Sequence, residues 1–371
     1  MAGDGSWELF VETTSRFEVC PRCACKSSSV YDHRAVRVRD TPVRTRQVVL
    51  RIRKRRFWCK PCQKPFTEPV AGVGKGKRFT ERFRKSIHWA CETFSAIKDV
   101  SKAYRCSYGF IYKTFYQELE RVERQRHYPW PKAIGLDEHF FRKKRGYRGF
   151  VTVVVDFKGR RLREVVEGRD RASLHNGLQD IQGRENVQWV SCDLADSYKS
   201  FARDFFPNAN IVADKFHVLR LLNPAINRYR KAITGDKRKH PSRRLLLRSG
   251  IRLKWHERSA LNKWLDQHSD LQQIYWSKEA MHRLYRCRGR KRASRSLTNL
   301  TDALANTKIP ELKTLRRTLM RWKNEILNHF SSGLTNAMAE GFNNVAKVVK
   351  KRAYGYKSFK NYRLRLLSAC A

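Results

Sequence analysis

Hydrophobic positions recur along this chain with two different periods, and the places where the period changes divide it. Near the N-terminus, Val36-Arg37-Val38-Arg39 and Val48-Val49-Leu50-Arg51-Ile52-Arg53 alternate apolar and basic residues. That is the period of a strand, whose successive side chains point to opposite faces. One face packs; the other carries Arg51, Arg53 and Arg55 in one row, either as a solvated edge or as phosphate contacts. Pro69–Lys77 is a glycine-rich stretch that closes the region. From Phe79 to Arg126 the pattern is helical. Ser95–Tyr104 reads as a short helix, Arg105–Ser107 as a turn with Ser107 as N-cap, and Tyr108–Glu120 as the next helix. Ile97, Val100, Ala103, Ile111 and Phe115 supply a small core. A helix-turn-helix has this pattern, with Tyr108, Tyr112 and Lys113 exposed on its second helix; so does a plain helical connector.

His127-Tyr-Pro-Trp-Pro marks a second break, after which the apolar runs shorten. Ala133–Asp137, Gly149–Asp156, Arg161–Val166, Val187–Asp193 and Ala209–Asp214 are predicted strands. Arg171–Ile181, capped by Asp170, and Asp196–Phe205 are predicted helices, and another follows from Lys215. Three strands in succession, then alternating helices and strands, predict a mixed five-stranded sheet with helices on its faces. This is the order of the ribonuclease-H-like fold. Residues 221–330 read as helical and basic, with Trp255, Trp264, Trp276 and Trp322 spaced as core anchors and Arg286–Arg292 as a basic loop.

Charge narrows the function. With 80 Lys and Arg against 34 Asp and Glu, the formal charge is +46. Such a chain repels itself unless it meets a polyanion, and no apolar face accompanies the charge to suit a membrane surface. The longest apolar run, Val151–Val155, is too short to span a bilayer. The N-terminal residues carry neither a basic nor an apolar leader region, so no secretory signal is expected.

Ten cysteines include two short pairs, Cys20-Pro-Arg-Cys23 and Cys59-Lys-Pro-Cys62. Two residues inside each pair let both sulfurs face one tetrahedral ion, so four of the cysteines predict structural Zn²⁺ at the base of a long hairpin. A redox dithiol is the competing reading, and Cys25 is an alternative to Cys23.

Three acids stand out by position. Asp137 ends the first predicted catalytic-region strand and Asp193 the fourth, and in this fold those strands lie side by side. Two adjacent carboxylates repel each other unless a divalent cation neutralises them. On the helix after Ser331, Glu340, Asn344, Lys347 and Lys351 share one face, while Phe342, Val345 and Val349 fall on another that suits a core. Glu340 would complete the carboxylate set, with the amide and cations set for DNA phosphates. Each Asp taken alone reads equally well as a cap. Asp156, Asp170, Asp196 and Asp214 are rivals for the metal.

Several words together resemble an insertion-sequence DDE transposase of the ISL-three family. They are Gly135-Leu-Asp-Glu-His, Val166-Glu-Gly-Arg-Asp, Asp193-Leu-Ala-Asp-Ser-Tyr, Phe206–Val218, and Asn336-Ala-Met-Ala-Glu-Gly-Phe-Asn running into Lys350-Lys-Arg-Ala-Tyr-Gly. The chain departs from the family's usual pattern at Ala337, where glycine is common. The resemblance covers nearly the whole chain. It implies Asp137, Asp193 and Glu340 as catalytic triad, with Asp214 and His217 in supporting positions. It also implies an all-helical insertion between Asp193 and Glu340.

The expected organisation is a zinc ribbon (1–70), a helix-turn-helix (71–130), and a ribonuclease-H-like domain (131–220 and 331–371) interrupted by a helical insertion (221–330). The expected chemistry is phosphoryl transfer with two Mg²⁺ ions, Mn²⁺ being able to substitute. Asp137 would bridge both ions, with Asp193 and Glu340 holding one each. The expected partners are terminal inverted repeats, target DNA and at least a second copy of the chain, in a bacterial cytoplasm near the nucleoid. A silent DNA-binding regulator and a nuclease that never rejoins are the competing functions.

Overall fold

The computed structural model describes residues 6–44, 46–93, 96–126, 128–144, 147–235 and 241–371. These fall into two compact units. One is the chain up to Arg126 together with Val349–Arg365; the other runs from there to Val348 and adds Leu366–Ala371.

In the first unit, β1 is Trp7–Glu12, β2 Glu18–Val19, β3 Lys26–Ser27, β4 Val30–Val43, β5 Arg46–Cys59 and β6 Lys64–Thr67. The predicted long hairpin is β4–β5, antiparallel, with Val36 opposite Ile52 and Arg37 opposite Arg51. Strand β1 adds in parallel to β5, and β6 pairs the far end of β5. Like charges facing each other across a hairpin destabilise it. Glu8 of β1 offsets this by pairing Arg51 at 2.6 Å and Arg37 at 3.4 Å.

Helices α1 (Glu81–Thr93), α2 (Ile97–Ala103) and α3 (Tyr108–Arg124) follow. The Ser107 hydroxyl caps α3 by accepting from the Phe110 amide at 3.3 Å. Val100, Ile111 and Phe115 are buried as expected, with Phe83, Ile87 and Leu119. Ala103 is exposed instead, and the buried Tyr104 fills its expected place. Ser95 and His127 lie outside the described residues. Leu364, from the far end of the chain, joins this core, and Arg363 pairs with Glu123 at 2.7 Å. Residues 349–365 therefore pack with α1–α3, a placement that linear pattern does not reveal.

The second unit holds β7 (Ala133–Lys144), β8 (Tyr147–Asp156), β9 (Arg161–Glu167), α4 (Arg171–Leu178), β10 (Trp189–Cys192), α5 (Asp196–Phe205), β11 (Asn210–Ala213) and α6 (Lys215–Leu219). Strand order is β11-β10-β7-β8-β9, with β7-β8-β9 an antiparallel meander and β10 and β11 parallel to β7. This is the predicted mixed sheet. Residues Val151–Val155 of β8 are buried on both faces, which explains why that run does not alternate. Asp170 caps α4 through the Ser173 amide at 2.9 Å.

Helices α7 (Asn223–Thr234), α8 (Pro241–Leu247), α9 (Trp255–Leu265), α10 (Ser269–Leu284), α11 (Arg290–Ala303), α12 (Pro310–Arg321) and α13 (Lys323–Ser332) form the helical region. Their apolar faces share a core with Ala213 and Val218. Of the four expected tryptophan anchors, Trp322 is buried and Trp264 packs against the core. Trp276 is partly exposed and Trp255 is 84% exposed, so spacing alone misjudged these two. Arg290–Arg292 begin α11 and do not lie in a loop. Helix α14 is Ala337–Arg352 and α15 is Phe359–Ala369. No helix among the described residues is long and apolar enough to cross a membrane.

Candidate active site and zinc centre

Strands β7 and β10 run parallel, with Val190 paired to Ile134 and Ser191 to Gly135. Two residues further on, this register sets Asp193, just past β10, beside Asp137, which lies inside β7 and not at the strand end that the sequence predicts, because pairing with β8 carries β7 on to Lys144. Asp137 is buried, and burial together with the Asp193 charge pushes its carboxyl up to about 7. Asp214 ends β11 and caps α6 through the His217 amide at 3.2 Å. The His217 ring then turns back so that Nδ1 lies 2.9 Å from Asp193 Oδ1 and 2.9 Å from Asp214 Oδ2. Those two carboxylates raise His217 to about 10. Burial alone would raise Asp214. Hydrogen bonds from the His217 ring and the Asn336 amide outweigh it and hold Asp214 below the usual carboxylate range.

Glu340, on the first turn of α14, is exposed. It lines a cavity of about 420 Å³ with Asp137, Asp214 and His217. Among the described residues the acids whose ligand atoms already converge here are Asp193 and Asp214, together with His217, all within 4.8 Å. The Asp137–Asp193–Glu340 set does not close to that degree. Asp137 and Asp193 are neighbours, and Glu340 lines the same cavity as Asp137.

The remaining acids have other work. Asp156 accepts from the Gly159 amide at 2.8 Å and forms the β8–β9 turn. Asp196 starts α5 and pairs with Arg321 at 2.6 Å on the surface.

The expected core face of α14 is turned from where the apolar residues suggested. Ala339, Asn343, Ala346 and Val349 are buried, while Phe342 and Val345 are only half-buried. Small alanines let α14 come close to its neighbours. This brings Asn343 to Asp137: its Nδ2 donates to Oδ2 at 2.9 Å, and its Oδ1 lies 2.8 Å from His139 Nδ1. Asn336 also reaches the sheet, donating to the Leu136 carbonyl at 2.9 Å. Gly135 makes room, since a Cβ there would lie 3.1 Å from Asn336 Oδ1 and 2.7 Å from the Phe157 ring. Neither Asn336 nor Asn343 was singled out from sequence. The signal was present as polar residues in an alanine stripe.

In the first unit, Cys20, Cys23, Cys59 and Cys62 bring their sulfurs within 4.8 Å of one another. Cys20 and Cys62 are 3.9 Å apart, and Cys23 and Cys59 3.4 Å. A tetrahedral Zn²⁺ with Zn–S bonds of about 2.3 Å needs sulfurs roughly 3.8 Å apart, so the four fit zinc. Backbone amides of the first knuckle lower Cys20, through Arg22, and Cys23 to about 6, through Cys25, whereas the crowded sulfurs and burial raise Cys59 and Cys62, the charge imbalance that a cation among them would relieve. Cys25 lies outside this cluster, which Cys23 joins.

With this geometry in hand, the comparisons are direct. A transposase family model, of the ISL3 DDE type, matches residues 134–366. A second, described as the zinc-finger of transposase IS204/IS1001/IS1096/IS1165, matches residues 16–62. The chain belongs to the ISL-three family of transposases. It is 25% identical over 372 residues to the transposase for insertion sequence element IS1001 of Bordetella parapertussis, covering 97% of this chain and 91% of the relative. It is 24% identical to the transposase for insertion sequence element IS1557 of Mycobacterium tuberculosis, covering 96% of this chain and 87% of the relative.

The transposase's expected DNA-contacting residues divide into available and committed groups. Arg53, Lys113, Asn344, Lys347 and Lys351 are exposed, as is Tyr108. Arg51 is partly engaged by Glu8. Arg55 is internal to the ribbon: it pairs with the fully buried Glu68 side chain at 2.7 Å, and donates to the Ser15 carbonyl at 2.7 Å. Tyr112 is half-buried between Tyr108 and Tyr116. For Arg55, the row read from the strand alternation does not survive as a free surface.

Proposed function

We propose that this transposase binds the terminal inverted repeats of its element and carries out strand cleavage and strand transfer. Asp137, Asp193 and Glu340 would hold Mg²⁺. The observation that carries this reading is the burial of Asp137, inside β7, beside Asp193, which follows the end of the adjacent parallel β10. The carboxylates gathered there are only partly balanced by His217, and hard carboxylate oxygens suit Mg²⁺. The ion, when bound, would supply Lewis-acid stabilisation of the phosphodiester and of the attacking hydroxyl. The chain itself contributes orientation: Asn343 fixes one Asp137 oxygen, the Glu138 amide donates to the other at 2.8 Å, and His217 holds Asp193. Two DNA ends must be joined, so a dimer or larger assembly on DNA belongs to the proposal.

The domain roles follow. Residues 1–70 and 71–130 would recognise the inverted repeats. Residues 131–220, 331–348 and 366–371 would carry the chemistry, with 221–330 as insertion, while 349–365 of the expected C-terminal part pack with α1–α3. A second metal assignment is supported by the converged Asp193–Asp214–His217 group, in which Asp214 would replace Glu340 as a ligand. Comparing Asp214→Asn with Glu340→Gln for Mg²⁺ binding by calorimetry separates the two.

The functional test is incubation with labelled inverted-repeat ends and a plasmid target in Mg²⁺. The repeats themselves are to be found in the DNA flanking the gene. Joined products support a transposase; nicks alone would indicate a nuclease, and a mobility shift alone a silent regulator.

A further inference from the structure

A second cavity, about 550 Å³, lies wholly within the first unit, between α2, α3 and the turn joining α14 to α15. Its volume is in the range of small-ligand sites. The transposase chemistry does not use it. Tyr108, Tyr112 and Tyr116 stand at successive turns of α3 and form a ladder along it, with ring centroids 5.9 Å and 4.6 Å apart. Across the opening is the Lys350-Lys-Arg-Ala-Tyr-Gly word of the sequence. Tyr354 there adopts a left-handed backbone (φ 51°), followed by Gly355 (φ 101°). A bulky side chain in that region is strained, and strain persists where it serves a purpose other than packing. Tyr354 is 94% exposed and gains nothing from the core.

We infer that this cavity receives one unstacked nucleotide of DNA whose strands are opened. The inference rests on the reading that the chain acts on DNA, and adds a site for one state of that substrate. Flat aromatic faces match the flat faces of a base and tolerate any sequence. Lys98, exposed and with no ion pair among the described residues, and Arg352 flank the opening, where a nucleotide's phosphate would remain. Asp99 and Asn361 also line it and offer an acceptor and an amide to a base edge. The Asn361 amide is already oriented by donation to the Tyr112 hydroxyl. A duplex interior cannot occupy the cavity, because its base faces are stacked on each other.

The test uses the full chain without Mg²⁺, so that cleavage plays no part. Anisotropy is measured with a labelled dT oligonucleotide and with a blunt duplex. Tyr354→Ala should weaken single-strand binding by roughly five- to a hundredfold and leave duplex binding unchanged. Tyr354→Trp should restore it. In the wild type, a 5-iododeoxyuridine oligonucleotide should photocross-link to a peptide containing Tyr108 or Tyr354. If the wild type binds both DNAs but Tyr354→Ala matches it, or loses both equally, the nucleotide site is wrong while the DNA reading stands. If the wild type binds neither DNA, the DNA reading fails and the site with it.

Discussion

Asn343 donates to Asp137 at 2.9 Å across 206 residues of sequence. One buried amide thus ties the last long helix of the second unit to the central strand of the sheet, and decides which way the Asp137 carboxyl points. Its other atom meets His139, so the side chain is satisfied on both ends. A residue acting this way positions a carboxylate without contacting DNA itself.

Asn343→Ala should therefore lower stability by about 1–3 kcal/mol, the cost of leaving a buried charged acceptor without its donor. Asn343→Asp should cost more, because it puts another carboxylate against Asp137. Urea unfolding measures both. Mg²⁺ should stabilise the wild type by about 1.4 kcal/mol at ten times its dissociation constant, and this gain should shrink in Asn343→Ala. An unchanged Mg²⁺ response in that variant would mean that Asn343 only packs.

The zinc ribbon should contain about one Zn²⁺ per chain by metal analysis. Cys59→Ser should lose it and, with it, binding to the inverted repeats, whereas Cys25→Ser should keep both. Loss of zinc from Cys25→Ser would show that the four sulfurs are misassigned.

Much of this was legible in sequence, and for a physical reason. Knuckle spacing and strand alternation are local signals, so the four zinc cysteines and the β7–β11 order followed from short windows. What failed depended on distant partners. Arg55 belongs to the same alternating row as Arg53, yet its partner, the buried Glu68, arrives just after β6 by a separate turn. Helix α14 was read by its large residues, Phe342 and Val345, whereas close approach to the sheet selects the small Ala339 and Ala346. That rotation hid Asn343 and drew attention to Asn344. Trp255 showed the opposite error, a large residue taken for core that the fold leaves in water.

Arg53 and Arg55 should accordingly behave differently despite their shared row. Arg51→Ala with Arg53→Ala should flatten the slope of log affinity against log salt by roughly one to two units. Arg55→Ala should instead destabilise the ribbon by about 3–5 kcal/mol, since it strands the buried Glu68 carboxylate. Thermal unfolding and salt titrations of DNA binding distinguish these outcomes.

Glu118 supplies a pH test outside the active site. The Arg121 and Arg84 guanidiniums hold its carboxyl below the usual range against the opposing effect of burial. A depressed folded value means that the unfolded chain binds the proton more readily. The stabilisation is thus complete above the unfolded value of about 4.3 and is lost as pH falls through the folded one. Glu118→Gln should destabilise by about 1–3 kcal/mol at pH 7 and by much less near pH 3. Equal effects at both would show that the ion pairs contribute nothing.

The central claim is that Asp137, Asp193 and Glu340 act in chemistry rather than in folding or DNA capture. Strand transfer of labelled inverted-repeat ends in Mg²⁺ is the direct measurement, applied to Asp193→Asn, Glu340→Gln and the control Asp196→Asn. Asp196 sits three residues from Asp193 in an exposed pair with Arg321, the kind of pair that contributes little. The first two variants should bind the ends as the wild type does and lose cleavage and joining by several orders of magnitude, while Asp196→Asn stays active. Joining by Glu340→Gln at the wild-type rate, with Asp196→Asn inactive, would contradict the account.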